Sequence, residues 1–255
     1  MIKIVVCYKW VLDEVGIRLN ANQSLDTSQA EYKISDYDRN TIQAGVSLAR
    51  ELEGEAVGLT FGTAEARPSI KAALSRGLDE AYWVNAEEAA KADGAATARA
   101  LAGAIKKIED VQLVLCTEGA SDTFARQIGP RVGALLDLPT ITSVFEVSVE
   151  GTTLTATRKL KDSLETVEVE LPCVVVVLPE IGEAPIPGLK AVLAAGKKPV
   201  HEFVATDIEG SLAPKTAAES ESGYVMVRKN VVIKDGNAES KVAEFVSHLK
   251  KEGLV

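Results

Sequence analysis

The chain of 255 residues predicts a doubly wound α/β fold, a mostly parallel sheet with helices on both faces. Three observations carry that expectation. Short apolar runs rich in Val and Ile alternate with helical patterns four times between Ile2 and Leu135. Those runs are apolar at nearly every position, which suits strands buried on both faces. The period falls to about two only after Thr140, and a fully apolar run returns at Leu171–Leu178.

Ile2–Cys7 (IKIVVC) is the first expected strand. Asp36–Glu53 reads as a helix with Ile42, Val46, Ala49 and Leu52 on one stripe and Gly54 at its end. Ser35 and Asp38 have the spacing of a capping box, and the neighbours of Asp36 and Asp38 favour an N-cap role over a catalytic carboxylate pair. Glu55–Phe61 is the second strand. Ala66–Arg76 is a short helix stopped by Gly77, and Glu80–Val84 is the third strand. Thr97–Ile108 is a helix with Leu101, Ile105 and Ile108 on one face. Cys7, Phe61 and Thr117 mark strand ends, where open α/β sheets bind ligands.

Val111–Thr140 organises the rest. Val111–Cys116 has strand character, Thr117–Ser121 is a small-residue loop, and Phe124, Ile128, Val132 and Leu135 then follow helical spacing. Ser121, Asp122 and Thr123 are able N-cap types at that helix start. A strand, a small-residue loop and a helix N-terminus hold a phosphate through backbone N–H groups and the helix dipole. An adenine-nucleotide site is therefore expected here, the plain alternative being one more βα turn.

Ser143–Val149, Thr153–Arg158 and Glu165–Glu170 predict an antiparallel meander within residues 143–170. Residues 180–198 form a loop rich in Pro and Gly. Ala205–Gly223 is poor in large apolar residues and reads as an arm. Tyr224–Ile233 is an expected strand. Glu239–Lys251 is an amphipathic helix, with Val242, Phe245, Val246 and Leu249 on a face that calls for a partner subunit or the chain's own main domain. The expected division is an α/β nucleotide-binding domain over 1–200 and an arm with a docking helix over 201–255.

Composition excludes several classes. A net charge of −9 argues against nucleic-acid binding. Cys7, Cys116 and Cys173 sit in or at the ends of strands, as buried thiols of a reducing compartment do, and neither they nor the two histidines have metal-ligand spacing. No Walker-type P-loop, no G-x-G-x-x-G after the first strand and no G-x-S-x-G is present. No signal peptide and no membrane insertion are expected, and the location is expected to be cytoplasmic. No catalytic residues and no metal site are expected.

These residues resemble the beta subunit of electron transfer flavoproteins along nearly the whole chain. KIVVCYKWVLDE, KISDYDRNTIQAGVSLARE and FGTAEARPSIKAALSRGLDEAYWV resemble the family's first strand, first helix and second strand end. ELPCVVVVLPEIGEAPIPGLKAVLAAGKKPV is similar to its signature region, and KNVVIKDGNAESKVAEFVSHLKKEGLV resembles its C-terminal strand and helix. GASDTFARQIGP and AVLAAGKKPV are most similar to the branch associated with nitrogen fixation and anaerobic acyl-CoA reduction.

The resemblance implies a Rossmann-like sheet and an alpha–beta heterodimer that carries electrons as flavin, one FAD lying mainly on the alpha subunit. The beta-subunit site would hold AMP or, in electron-bifurcating members that oxidise NADH, a second FAD. Implied contacts are Cys7, Ser35, Asp36, Tyr37, Asp38, Phe61, Gly62, Thr117, Glu118, Gly119, Ala120, Ser121, Asp122, Thr123, Phe124, Ala125, Arg126, Gln127 and Ile128. Arg126 and the N–H groups of Gln127 and Ile128 would meet phosphate, while Cys7, Phe61 and Tyr37 would shape the adenine and ribose pocket. Leu189 falls at the family's partner anchor, which implies an acyl-CoA dehydrogenase or a quinone oxidoreductase as partner and a place in fatty acid oxidation. Ala184-Pro185 departs from the family's frequent Pro-Arg, and Phe124 and Arg126 replace small or polar residues of its usual loop. A flavin-free nucleotide-binding sensor of similar architecture is the remaining alternative.

Overall fold

The computed structural model describes residues 2–255. The chain forms two compact units, residues 2–18 with 26–221, and residues 19–25 with 222–255.

The first unit is built on one sheet. Strand β1 (Lys3–Cys7) leads into β2 (Trp10–Leu12), the short β3 (Arg18–Leu19) and β4 (Leu25–Asp26), and β5 (Tyr32–Ile34). β2 and β5 pair antiparallel, with Trp10 opposite Ile34 and Leu12 opposite Tyr32. Helix α1 (Asp36–Glu51), β6 (Glu55–Gly62), α2 (Arg67–Leu74), β7 (Glu80–Asn85), α3 (Gly94–Ile105), β8 (Val111–Thr117) and α4 (Ile128–Leu136) follow. Next come β9 (Thr140–Glu150), β10 (Thr153–Lys159), β11 (Leu164–Glu170), β12 (Cys173–Val177), α5 (Leu189–Ala195) and β13 (Val200–Val204).

Nine strands form a sheet in the order β11-β10-β9-β12-β8-β1-β6-β7-β13. The ladders from β9 through β12, β8, β1, β6 and β7 to β13 are parallel, and β9, β10 and β11 pair antiparallel as the expected meander. β9 serves both parts: Thr140–Val144 lies along β12, while Val144–Glu150 pairs with β10. The sequence pattern located the meander at Ser143. The earlier residues are legible only once β12 is seen beside them.

Each face has its own core. On one, Ile42, Val46 and Ala49 of α1 and Ile70, Ala73 and Leu74 of α2 cover Ile4, Val6 and Leu115. On the other, Leu101 and Ile105 of α3 and Val132 of α4 cover Val5, Val57, Leu59 and Val114. Leaving β1, the chain winds to β6 and β7 on one side and then returns to β8 on the other. Strand order thus reverses at β1, and the loops after β1 and β8 diverge to open a crevice there.

Several sequence boundaries move. The third helix starts at Gly94, not Thr97, because Asp93 caps the N–H groups of Ala95 and Ala96 at 3.1 and 2.8 Å. The fourth starts at Ile128, and the backbone before it is loop, with Phe124 and Arg126 at positive φ (45° and 56°). A right-handed helix has no place for those angles, so Ser121, Asp122 and Thr123 are not its caps; Gln127 occupies the N-cap. Leu135 of that helix is exposed. The arm is less free than its composition suggests. Ile208 and Leu212 are buried, and Gly103 of α3 leaves the space that Ile208 fills.

In the second unit, Tyr224–Ile233 forms no strand, although its β-branched content predicts one; it has no ladder partner. Helix α6 (Ala238–Lys251) is capped by Asn237, whose side chain accepts from the Ser240 N–H at 2.9 Å. Val242 and Phe245 on its apolar face are more than half exposed.

Gly129 fixes the height of α4 above the sheet. A Cβ there would lie 2.3 Å from Val176 Cγ2 and 3.3 Å from Cys116 Cβ. Gly129→Ala should therefore destabilise the fold by about 1–3 kcal/mol through overpacking. A lower denaturation midpoint with an unchanged slope is the expected result; an unchanged midpoint would mean that the contact is not tight.

Candidate functional site

A cavity of about 1040 Å³ opens at the C-terminal ends of β1, β6 and β8, at the reversal of strand order. Cys7 lines it from β1 and Lys9 from just after that strand, Phe61 and Gly62 from β6, and Cys116 and Thr117 from β8. The loop from Glu118 to Gln127 and the first residue of α4 form one wall, and Asp93, Gly94 and Thr97 at the start of α3 form the facing one.

Of the residues expected from sequence, Cys7, Asp38, Phe61, Gly62, Thr117, Glu118, Gly119, Ala120, Thr123, Ala125, Arg126, Gln127 and Ile128 line this cavity. Ser35, Asp36, Tyr37, Ser121, Asp122 and Phe124 stand behind its wall. The Ser121 N–H donates to Ser35 Oγ at 3.2 Å. The rings of Tyr37 and Phe124 meet edge to face at 5.6 Å. Asp36 pairs on the surface with Lys33 and Arg39, at 2.9 and 2.7 Å. Asp122 accepts from Lys9 Nζ at 2.5 Å.

Asp38 departs furthest from its expected part. The capping box does not form, and Ser35 makes no side-chain cap. The Asp38 side chain is buried instead and joins three segments: its carboxyl accepts from the Lys9 N–H at 2.8 Å and from the Thr117 hydroxyl. Capping-box spacing cannot distinguish a carboxylate facing the helix end from one turned into the core. Burial pushes the Asp38 carboxyl up to about 7, against the lowering effect of those two donors and of the Lys9 charge.

The loop is a wound structure. Glu118 continues the sheet, donating its N–H to Val177 O at 3.0 Å, and Phe124 N–H donates to Ala120 O. The Phe124 ring lies on Gly119, where a Cβ would come within 2.7 Å of it. Arg126 extends over the Phe124 ring and donates to Glu118 at 2.8 Å. The chain then enters α4 with no side chain capping its first turn. Gln127 and Ile128 at that start line the cavity, and the positive end of the helix dipole lies with them.

Sequence reasoning missed the opposite wall. Asp93 is the cap of α3, and its other oxygen accepts from the backbone of Lys215 and Thr216 at 2.8 and 3.1 Å. Those bonds, the Ala96 N–H first, hold its carboxyl far below the usual range. Thr216 reaches the cavity by this route. The Asp93-Gly94 pair ahead of an Ala-rich apolar period was the available signal. Lys9, directly after the first strand, was the other.

Leu189 is the first residue of α5 and 75% exposed; Leu193, one turn on, and Ile186, just before the helix, are exposed with it. Among the described residues no cluster suits a metal ion, and no helix is long and apolar enough to cross a membrane.

The family model for the electron transfer flavoprotein domain matches residues 24–208, most of the chain and most of the cavity wall. The chain belongs to the electron transfer flavoprotein family. Its family role is electron transfer, and the family is associated with flavin. The large, mostly parallel sheet flanked by helices is consistent with the Rossmann-like fold of that family. The cavity of this electron transfer flavoprotein chain is slightly above the usual volume of small-molecule sites (roughly 300–1,000 Å³), and an uncapped helix start and two cations stand on its rim.

The raised Asp38 carboxyl gives stability a pH dependence. Below about pH 4 the group is protonated whether the chain is folded or not, and its contribution is fully present. As pH rises towards about 7, the unfolded chain loses the proton first, and folding is progressively disfavoured. Asp38→Asn imitates the protonated form. It should remove that slope, so that the variant gains on the parent by a few kcal/mol between roughly pH 4 and 7. Parallel pH–stability curves would show that Asp38 ionises freely in the fold.

Proposed function

We propose that the chain is the beta subunit of a heterodimeric electron transfer flavoprotein and is not an enzyme by itself. The observation that carries this is the cavity at the strand-order reversal, walled by the wound loop Glu118–Gln127 and the uncapped start of α4. There the chain would hold AMP as a structural nucleotide. The N–H groups of Gln127 and Ile128 would meet its phosphate, with Arg126 and Lys9 released from Glu118 and Asp122 to add charge. Cys7 and Phe61 would form the apolar floor. Ser35, Asp36, Tyr37, Ser121, Asp122 and Phe124 would act from behind, holding the loop in shape.

The FAD that carries electrons would lie mainly on the alpha subunit; when bound, its ring system accepts and gives up electrons. The apolar face of α6, outward through Val242 and Phe245, supports docking on that subunit. The exposed cluster of Leu189, Ile186 and Leu193 supports a contact with an acyl-CoA dehydrogenase or a quinone oxidoreductase, within fatty acid oxidation or acyl-CoA reduction in the cytoplasm.

One observation favours a second reading. The cavity is large for a mononucleotide, and Arg126 stands on its wall. A second FAD in place of AMP would make this the NADH-oxidising half of an electron-bifurcating protein. The remote alternative, a flavin-free sensor, has no use for the Leu189 cluster or the outward face of α6.

A nucleotide census of the chain co-purified with its alpha subunit separates these readings. One FAD and one AMP per pair is the expected result. Two FAD with reduction by NADH would establish the bifurcating role, and no flavin would overturn both. Leu189→Ala should leave flavin content unchanged and slow electron delivery to the dehydrogenase about tenfold, the loss of a modest hot spot. Unchanged transfer rates would remove Leu189 from the contact.

A further inference from the structure

Cys7 ends β1 and Cys116 is the last residue but one of the neighbouring parallel strand β8, on either side of the strand-order reversal. The register pairs Val5 with Val114 and Val6 with Leu115, so Cys7 stands opposite Cys116 on the same face of the sheet. Both thiols are almost wholly buried from bulk water, yet both line the cavity. Their side chains belong to the same buried cluster on that face. Paired strands lie about 4.8 Å apart, within the Cα separation of roughly 4.4–6.8 Å that a disulfide spans. Cys173 is the internal contrast, buried on the opposite face of the sheet and away from the cavity.

We propose that Cys7 and Cys116 form a two-cysteine redox site on the floor of the cavity, taking a hydroperoxide as its oxidant and closing to a disulfide. The Cys116 sulfur attacks the O–O bond of the peroxide, leaving a sulfenic acid on Cys116, and the departing hydroxyl takes the Cys116 proton and leaves as water. The Cys7 sulfur then displaces the sulfenic oxygen, which leaves as water with the Cys7 proton. Two thiols and one hydrogen peroxide thus give one disulfide and two waters, a two-electron oxidation of the protein. The neighbouring Cys116 side chain, burial and the nearby Asp38 carboxyl push the Cys7 thiol up, so the proton that leaves with water in the second step is its own. The cavity is the path for the oxidant. Insofar as this access is gated by a nucleotide, the inference rests on the reading of the cavity given above.

The test is hydrogen peroxide treatment of the nucleotide-free full chain, with and without AMP, followed by a non-reducing peptide map. A Cys7–Cys116 cross-link with Cys173 still free is the expected product. At about 100 times its Kd, AMP should slow its formation on the order of 100-fold by occupying the cavity. In Cys7→Ser, dimedone should capture Cys116 as the trapped sulfenic acid. A cross-link that forms equally fast when calorimetry shows AMP bound would support the redox pair and overturn the placement of AMP in this cavity. Absence of the cross-link in protein that binds AMP by calorimetry would overturn the redox pair and leave the nucleotide reading standing.

Discussion

The buried carboxyl of Asp38 holds together the parts on which the cavity depends. It lies in the first turn of α1, takes the N–H of Lys9 just beyond β1 and takes the hydroxyl of Thr117 at the end of β8. Those are the two strands between which the winding of the sheet reverses. Neighbouring loops diverge at such a reversal, and nothing in the sheet itself fixes their separation. A side chain bridging both strand ends supplies that fix, at the cost of keeping an acidic group away from water.

The second determinant is the wound loop after β8. A regular βα turn would start its helix within a few residues of the strand. Here Phe124 and Arg126 take left-handed backbone angles, Phe124 covers Gly119, and Arg126 closes back on Glu118. The extra length carries the helix start to Ile128 and sets the cavity wall at a distance from the strand ends. Side chains standing behind the wall, such as Tyr37 on Phe124 and Ser35 under Ser121, are then part of the same construction as those that line it.

Much of this was legible in the residues because burial on two faces leaves a strong trace. Val174–Val177 admits few readings besides a central strand, and the stripe Ile42, Val46, Ala49 can face only one way. The site was legible at the strand ends for the same reason: Cys7, Phe61 and Thr117 are where apolar runs stop. Strand order was not legible, since the place of β12 between β8 and β9 depends on contacts remote in sequence. Nor were the positive φ angles of Phe124 and Arg126, because glycine is the residue type that announces them. Asp38 was expected at a helix cap and Asp93 was not singled out, for a related reason. Both can cap a helix by type, and only the packing decides which one does. The three-residue strands β2 and β5 are too short to show a period at all.

A nine-stranded open sheet also ends in two strands whose outer backbone groups have no ladder partner. On the meander side that strand is β11, and Glu165, Glu168 and Glu170 lie along its seven residues. A second molecule offering the same edge would bring its own carboxylates against these at strand spacing. Such like-charge ribbons discourage sheets from growing edge to edge, so the acidic character of the chain has a local use in keeping copies of this fold from polymerising.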